Sequence, residues 1–234
     1  MSTKEKLIFI LKKMPSLFFG LFLYAVAILA TLYSNLGVSP WDVFHVGVTR
    51  HLPLTLGQVS EITGFFILAA SCLIGVIPGL SSIFNMIFIG VFVDMLNAMH
   101  IYSTPQFLWQ RVLMLLVGII IMGWASYFYM RVEMGAGPRD SLMEGFVKKL
   151  NKPVWLVRGT IEISALIAGY LLGGPVGAGT LLIAATIGFS VQLAFRMGRY
   201  SSKDVKHMDV IQMYKFLKGL PLSEGVQEVP GCGR

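Results

Sequence analysis

Six long apolar runs separate short polar segments along this chain of 234 residues. A membrane-spanning helix needs about 20 apolar residues, because each adds about 1.5 Å toward crossing a hydrocarbon core of about 30 Å. Charged residues make up only 13% of the chain, whereas soluble domains carry about 25%. The sequence therefore predicts an all-α integral membrane protein. The predicted spans are residues 15–33, 58–76, 82–96, 112–130, 156–172 and 180–195, the third and sixth being short.

The basic residues are distributed unevenly over the polar segments. Seventeen of the 19 Lys and Arg residues lie before the first span, around the connection from the fourth to the fifth, or in the C-terminal tail; the others are Arg50 and Arg111. The positive-inside rule then predicts a multi-pass membrane protein with both termini in the cytoplasm. Because topology accounts for the net charge of +7, nucleic acid is not an expected partner.

An internal repeat relates the two halves of the chain at a single offset of 98 residues. Matches in Gly, Pro and Asp carry most weight, because apolar matches are common in any membrane protein. They are Gly20/Gly118, Gly37/Gly135, Pro40/Pro138, Asp42/Asp140, Gly47/Gly145, Gly75/Gly173, Gly79/Gly177 and Gly90/Gly188. Each copy holds three spans, an odd number, so the copies are expected to have inverted topology, as in many secondary transporters.

The predicted organisation follows from the repeat and the charges. It consists of a cytoplasmic N-terminus (1–13), a first membrane repeat (14–97), an outer loop (98–111), a second membrane repeat (112–196) and a cytoplasmic basic, amphipathic tail (197–234). A helix over residues 199–220 of the tail is expected to lie on the anionic leaflet.

Each repeat contains a short helix start between its first two spans. Ser39 is a favourable N-cap, Pro40 suits the first helical position, and Asp42 can reach back to the cap amide. The second copy repeats this pattern with a Gly cap. The helices are expected to end near Pro53 and Pro153, since proline disfavours helix in the residue before it. The structural motif residues are Gly37, Ser39, Pro40, Gly135, Gly137 and Pro138.

A helix of about 12 residues is about 18 Å long and too short to span the membrane. Two placements remain open. The helix lies flat at the interface, or the Gly-containing linker re-enters the membrane and the helix starts at depth. In the second placement Asp42 and Asp140 reach mid-membrane from opposite sides.

The chain resembles the YczE/YyaS/YitT family of bacterial membrane proteins. The residues that carry the resemblance are Gly37–His45 in the first half, and Gly135–Met143, Val157, Arg158 and Glu162 in the second. It covers about residues 17–196 and departs at the tail. The resemblance implies a multi-pass protein of the bacterial plasma (inner) membrane and supplies no settled activity.

Ionisable groups within spans are candidates for a functional site, because their burial in lipid is expensive. Arg158 and Glu162 are four residues apart and can pair on one helix face; a structural ion pair is the competing interpretation. Asp94 is interpreted as interfacial. The candidate pathway residues are Trp41, Asp42, His45, Asn85, Arg139, Asp140, Arg158 and Glu162.

The leading functional hypothesis is a small-solute secondary transporter or exporter with its pathway between two inverted repeats. The alternative is a non-transporting membrane scaffold or regulator. An enzyme is not expected, because the sequence holds no HExxH or P-loop motif, and neither a cofactor nor a metal is expected. The expected partners are the lipid bilayer and an unknown small solute, with proton coupling as an option. The sequence leaves the oligomeric state open.

Overall fold

The structure is a computed structural model that describes residues 3–200 and 207–221. Within these ranges the regular structure is entirely helical. The helices are α1 (Thr3–Ser34), α2 (Pro40–Thr49), α3 (Leu56–Ile74), α4 (Leu80–Ala98), α5 (Leu108–Met130), α6 (Pro138–Leu150), α7 (Val154–Leu171), α8 (Ala178–Met197) and α9 (Val210–Lys218).

Six helices, namely α1, α3, α4, α5, α7 and α8, have the length and composition of membrane spans. The predicted all-α class and the six spans are therefore confirmed. The third and sixth spans are longer than predicted, with 19 and 20 residues, because each helix gains two residues at both ends. Helix α1 begins at Thr3 and continues through Pro15, so the segment predicted as an N-terminal tail is largely helical.

Helices α1 and α5 cross at the centre of the bundle, where two glycines allow close approach. A Cβ on Gly20 would lie 3.0 Å from the Ala125 carbonyl oxygen, and a Cβ on Gly118 would lie 3.4 Å from the Ala27 carbonyl oxygen. We call the residue 98 positions away in the other repeat the counterpart of a residue. The Gly20–Ala125 contact and the Gly118–Ala27 contact are made by counterpart residues. The core on the α1 side includes Leu17, Leu21, Ala25 and Leu29, all fully buried.

The short helices pack against spans from the opposite half of the chain. Helix α2 lies on α7, because a Cβ on Gly169 would be only 2.4 Å from the Phe44 amide nitrogen. Helix α6 lies on α3, where a Cβ on Gly145 would be 3.0 Å from Cγ2 of Ile74. The short helix of each half therefore packs against a span of the other half.

The loops that precede the short helices also contact the opposite half of the chain. The Ser81 amide at the start of α4 donates to the Met134 carbonyl at 2.8 Å, and the Gly179 amide at the start of α8 donates to the Leu36 carbonyl at 2.7 Å. These two bonds are counterparts of each other. Gly37 and Gly135 both have φ of +117° in these loops, a conformation that residues with a side chain rarely adopt.

We call the end of the bundle that holds the start of α1 the N-side, and the opposite end the far side. Helix α9 docks at the N-side: Lys6 donates to the Phe216 carbonyl at 2.8 Å, and the Met208 amide donates to the Glu133 carbonyl at 2.9 Å. The predicted tail helix over 199–220 is thus shorter and packs on α1 through Met213 and Phe216, because its apolar face finds a protein partner. Tail residues 201–206 and 222–234 lie outside the described ranges.

Helices α3 and α4 are packed together, whereas α7 and α8 are not packed against each other over their described lengths. Asp94 of α4 caps α3 by accepting hydrogen bonds from the Thr55 hydroxyl and, at 2.9 Å, from the Gly57 amide. The residue interpreted as interfacial therefore links the two helices. Gln192, its counterpart in α8, cannot supply a carboxylate for the same cap.

Candidate functional site

The two short helices begin as the sequence predicts, at Pro40 and Pro138. The Ser39 side chain caps α2 by accepting from the Asp42 amide at 3.3 Å. The carboxylate of Asp42 accepts from the Ser39 hydroxyl at 2.5 Å, in place of the expected bond to the cap amide. Helix α2 ends at Thr49 and α6 at Leu150, so α2 stops short of Pro53.

A polar cavity of about 150 Å³ lies where the starts of these helices meet, and we call it the first cavity. Asp42 and Asp140 both line it, although 98 residues separate them in the chain. Six of the eight candidate pathway residues surround it: Trp41, Asp42, Arg139, Asp140, Arg158 and Glu162. Three carboxylates and two guanidinium groups therefore face one small space.

The two acids have different partners. Asp42 is 3% exposed, and beyond its bond with Ser39 its Oδ1 atom lies 3.7 Å from Nδ1 of His45. Asp140 is half-buried and accepts a hydrogen bond of 3.0 Å from the phenol of Tyr129. That phenol also accepts from the Gly137 amide at 3.3 Å, which ties the start of α6 to α5.

The basic groups of the first cavity have partners as well. The guanidinium carbon of Arg139 lies 4.9 Å from the centre of the Trp41 ring, a cation–π contact between the starts of α6 and α2. Arg158 Nε donates to Glu162 Oε1 at 3.2 Å along α7, so the predicted pair forms. The pair is partly exposed, and its role in a pathway stays a prediction.

A second cavity of about 100 Å³ adjoins the first on the side of α3 and α4. His45 and Asn85, the remaining two candidates, line this second cavity together with Ser60 and Thr63 of α3. Its other polar lining residues are Tyr24, Tyr129, Arg139 and Asp140. Arg139 and Asp140 therefore border both cavities.

A cleft of about 540 Å³ leads from the first cavity toward the N-side. Asp140 and Arg158 line its inner end, and Arg196 and Tyr200 line its other end beyond α8. Burial raises the pKa of the Tyr200 phenol to about 12, so this group stays protonated and donates to the Met130 carbonyl at 3.2 Å.

The counterpart region on the far side is filled by packing between α3 and α4. A Cβ on Gly90 would lie 2.6 Å from both Cγ of Glu61 and the Gly57 carbonyl oxygen. A Cβ on Gly159 or Gly188, the counterparts of Glu61 and Gly90, would meet nothing within 4 Å outside its own helix turn in the described structure. The central cavities thus have a wide cleft on the N-side and tight packing at the equivalent place on the far side.

Tyr24 and Tyr129 also belong to the site, although the candidate pathway residues predicted from the sequence include no tyrosine. Tyr24 lines both cavities, and its hydroxyl makes a short hydrogen bond with Ser126. Its position near the middle of an apolar run, far from either interface, is the feature that sets it apart from an interfacial tyrosine.

Six apolar spans around polar internal cavities define a polytopic α-helical integral membrane protein. Within that class the chain belongs to the family described as "Family of unknown function (DUF6198)", which residues 11–196 match. Similarity to the YczE and YyaS proteins of Bacillus subtilis confirms the resemblance to both.

The chain is 34% identical over 183 residues to the "Uncharacterized membrane protein YczE" of Bacillus subtilis (strain 168), an alignment that covers 76% of this chain and 82% of the relative. It is 32% identical over 178 residues to an "Uncharacterized protein" of Haemophilus influenzae, covering 74% and 81%. It is 24% identical over 170 residues to the "Uncharacterized protein YyaS" of Bacillus subtilis (strain 168), covering 70% and 82%. No solved structure matches the chain at a significant level.

Proposed function

We propose that the protein is a secondary transporter of small cationic solutes, with its pathway between two inverted repeats. The observation that carries this proposal is the first cavity, where Asp42 and Asp140 meet from opposite halves of the chain. Its three carboxylates outnumber its two guanidinium groups, so with all five ionised the cavity has an excess of negative charge. A small cation or amine would complement that charge.

Reciprocal contacts support the inverted arrangement of the repeats. The crossing of α1 with α5, the seating of α2 on α7 and of α6 on α3, and the two loop hydrogen bonds all interchange at an offset of 98 residues. A pseudo-two-fold axis would produce this exchange, and because each repeat holds three spans, that axis would lie in the membrane plane.

The seating of the short helices favours the re-entrant placement. The end of α2 lies at the end of α7, where Arg50 donates to the Gly173 carbonyl, while Trp41 and Asp42 at its start share the first cavity with Ile161 and Glu162 near the middle of α7. Helix α6 is related to α3 in the same way. Irregular backbone at such depth is tolerated where it lines a polar cavity.

The basic residues favour an N-side that faces the cytoplasm of a bacterial cell. In this orientation the cleft between the first cavity and Tyr200 opens to the cytoplasm. We infer an exchange with a second state, in which α7 closes on α8 while α3 separates from α4. Gly159 and Gly188, which lack close neighbours outside their own helix turns, would then form the closed contact. In the α3–α4 contact Gly57 also takes part, but its counterpart in α7 is the bulky Trp155. The α7–α8 contact is therefore expected to centre on Gly159 and Gly188.

Purified protein in lipid vesicles tests the proposal, with potassium, sodium, methylammonium and choline as probes. We expect counterflow of at least one probe, and Asp42→Asn and Asp140→Asn should each lower it by about tenfold or more, since 1.4 kcal/mol of lost interaction is a tenfold change. Glu144→Gln is the matched control, because Glu144 pairs with Lys148 on an exposed face of α6 and lines neither cavity. Full counterflow by both cavity variants would remove the acids from the pathway, and no counterflow of any probe would favour the scaffold alternative.

Thiol labelling gives a test that needs no solute. In a chain whose native cysteines, Cys72 and Cys232, are replaced by serine, Asp42→Cys should react with a membrane-impermeant reagent added on the cytoplasmic side. Although Arg50 and the end of α2 lie on the far side, the reagent should reach Asp42→Cys through the N-side cleft. Labelling only from the far side would contradict the proposed access route.

A further inference from the structure

His45 and Asp42 form a buried pair one helical turn apart on α2. Both are 3% exposed, and Nδ1 of His45 lies 3.7 Å from Oδ1 of Asp42. The other ring nitrogen, Nε2, is buried and has no hydrogen-bond partner among the described residues. Leaving such a group unpaired is unfavourable, so a buried imidazole nitrogen without a partner indicates a bound water, a bound ligand or a functional role.

The Asp42–His45 pair lies between the two cavities, with one residue lining each cavity. Asp42 lines the first cavity, whereas His45 lines the second with Ser60, Thr63 and Asn85. The second cavity is polar and large enough to hold water, which hydrogen-bonds to buried groups of this kind. One side of the imidazole therefore faces the carboxylate of the first cavity, and the other belongs to a separate polar space.

We propose that His45 is the proton-binding residue of this protein and that it makes the binding of a proton and of a cationic solute mutually exclusive. The proposal rests on the proposed transport function and names its coupling ion. Nε2 accepts a proton from water in the second cavity, forming an N–H bond. The imidazolium then lies beside the Asp42 carboxylate, and the pair is neutral.

A cation that enters the first cavity reverses this state. Its charge competes with the imidazolium for the Asp42 carboxylate, and the N–H bond at Nε2 breaks so that the proton returns to water in the second cavity. Only a proton moves, and no other bond changes. The result is an exchange of one proton for one monovalent cation.

Other charged and titratable groups border the second cavity with His45, namely Arg139 and Asp140 of α6, Tyr24 of α1 and Tyr129 of α5. The positive charge of Arg139 disfavours an imidazolium, so Asp42 is the group that favours it. The described residues that α3 contributes to the second cavity, such as Ser60 and Thr63, are uncharged. The counterpart of His45 is Met143, so one half alone carries the proton-binding group.

Nitrogen-15 spectra of histidine-labelled protein in lipid nanodiscs test proton binding without any solute. Four histidines are present, and His45→Gln identifies the signal of His45. We expect this signal to titrate between about pH 5 and pH 8, and Asp42→Asn should move its midpoint to lower pH, because the imidazolium loses its carboxylate. A His45 that stays neutral throughout this range, or that ignores Asp42→Asn, would overturn the proposal.

Vesicle measurements separate coupling from transport. His45→Gln should lose about tenfold or more of the choline uptake driven by a pH gradient, measured relative to its own choline counterflow at equal pH on both sides. His51→Gln, which changes an exposed imidazole near the Leu172 carbonyl, should behave as the unmodified chain. Unchanged gradient-driven uptake in His45→Gln would refute the coupling role. Absence of counterflow in the unmodified chain would count against the transport function, while the spectra would still decide proton binding.

Discussion

Tyr129 donates a hydrogen bond of 3.0 Å to Asp140, whereas its counterpart Thr31 donates to the Ile28 carbonyl of its own helix at 2.9 Å. Asp42 is held by Ser39 within α2, and the counterpart of Ser39 is Gly137, which has no side chain. The two acids thus occupy equivalent places in the repeat but are positioned by different groups.

Tyr129→Phe should weaken transport more than it weakens the fold. The phenol restrains a carboxylate that borders both cavities, and a hydrogen bond to a charged group contributes about 1.5–3 kcal/mol. We expect methylammonium counterflow to fall roughly tenfold. Tyr33→Phe is the control, because it removes a 2.8 Å bond to Asn97 away from the cavities. Equal loss in both variants would indicate a general structural effect.

Disulfide formation between Gly159→Cys and Gly188→Cys should report the state in which α7 closes on α8. The structure holds these positions apart, so oxidation should trap the closed state and prevent cytoplasmic labelling of Asp42→Cys. The counterpart pair, Glu61→Cys with Gly90→Cys, is in contact already and should cross-link in the open state. Failure of the first pair to cross-link under any condition would contradict the proposed exchange of states.

Gly135→Ala should destabilise the protein strongly. Its φ of +117° is unfavourable for alanine, and the added Cβ would lie 2.6 Å from the Cα of Gly79. Strain of this kind amounts to about 1–3 kcal/mol, and each kcal/mol lowers the melting temperature by about 2–4 °C in a chain of this size. Gly188→Ala should leave the melting temperature unchanged or slightly raised, because its Cβ meets open space. Thermal unfolding in detergent compares the two variants.

Glu162→Gln should reduce transport with little effect on stability. Its pair with Arg158 is partly exposed, and such pairs contribute about 0–1 kcal/mol. Both groups line the first cavity, so counterflow should fall although the melting temperature hardly changes. Glu144→Gln removes a similar pair, with Lys148 at 2.6 Å, outside the cavities. The interpretation fails if the two variants transport equally well.

Local sequence patterns predicted the helices well because their causes are local. Apolar runs of sufficient length specify spans, and a cap residue followed by proline, as in Ser39-Pro40 and Gly137-Pro138, favours a helix start. The offset of 98 residues also relates Asp42 to Asp140 in the sequence alone. Their common cavity is an observation of the structure, while the roles of the two acids stay a prediction.

The lining of the cavities depends on contacts between distant helices and was not predictable from one sequence. Ser60 and Thr63 lie near the start of the second predicted span, where polar residues in contact with water are common. Only the packing of α6 on α3 places them beside Asp140. Asp94 shows the same limit: the sequence places it near a helix end, and only the contact between α3 and α4 shows that its carboxylate caps the neighbouring helix.

The seating of α2 on α7 has a consequence for synthesis. Helix α2 ends at Thr49 and α7 begins at Val154, so more than a hundred residues must be translated before α2 meets its partner. At about 5–20 residues per second, this delay lasts roughly 5–20 s. During that interval the insertion machinery or a chaperone has to hold a short helix with an acid at its start. The yield of folded protein is therefore expected to depend on how quickly the second half is translated.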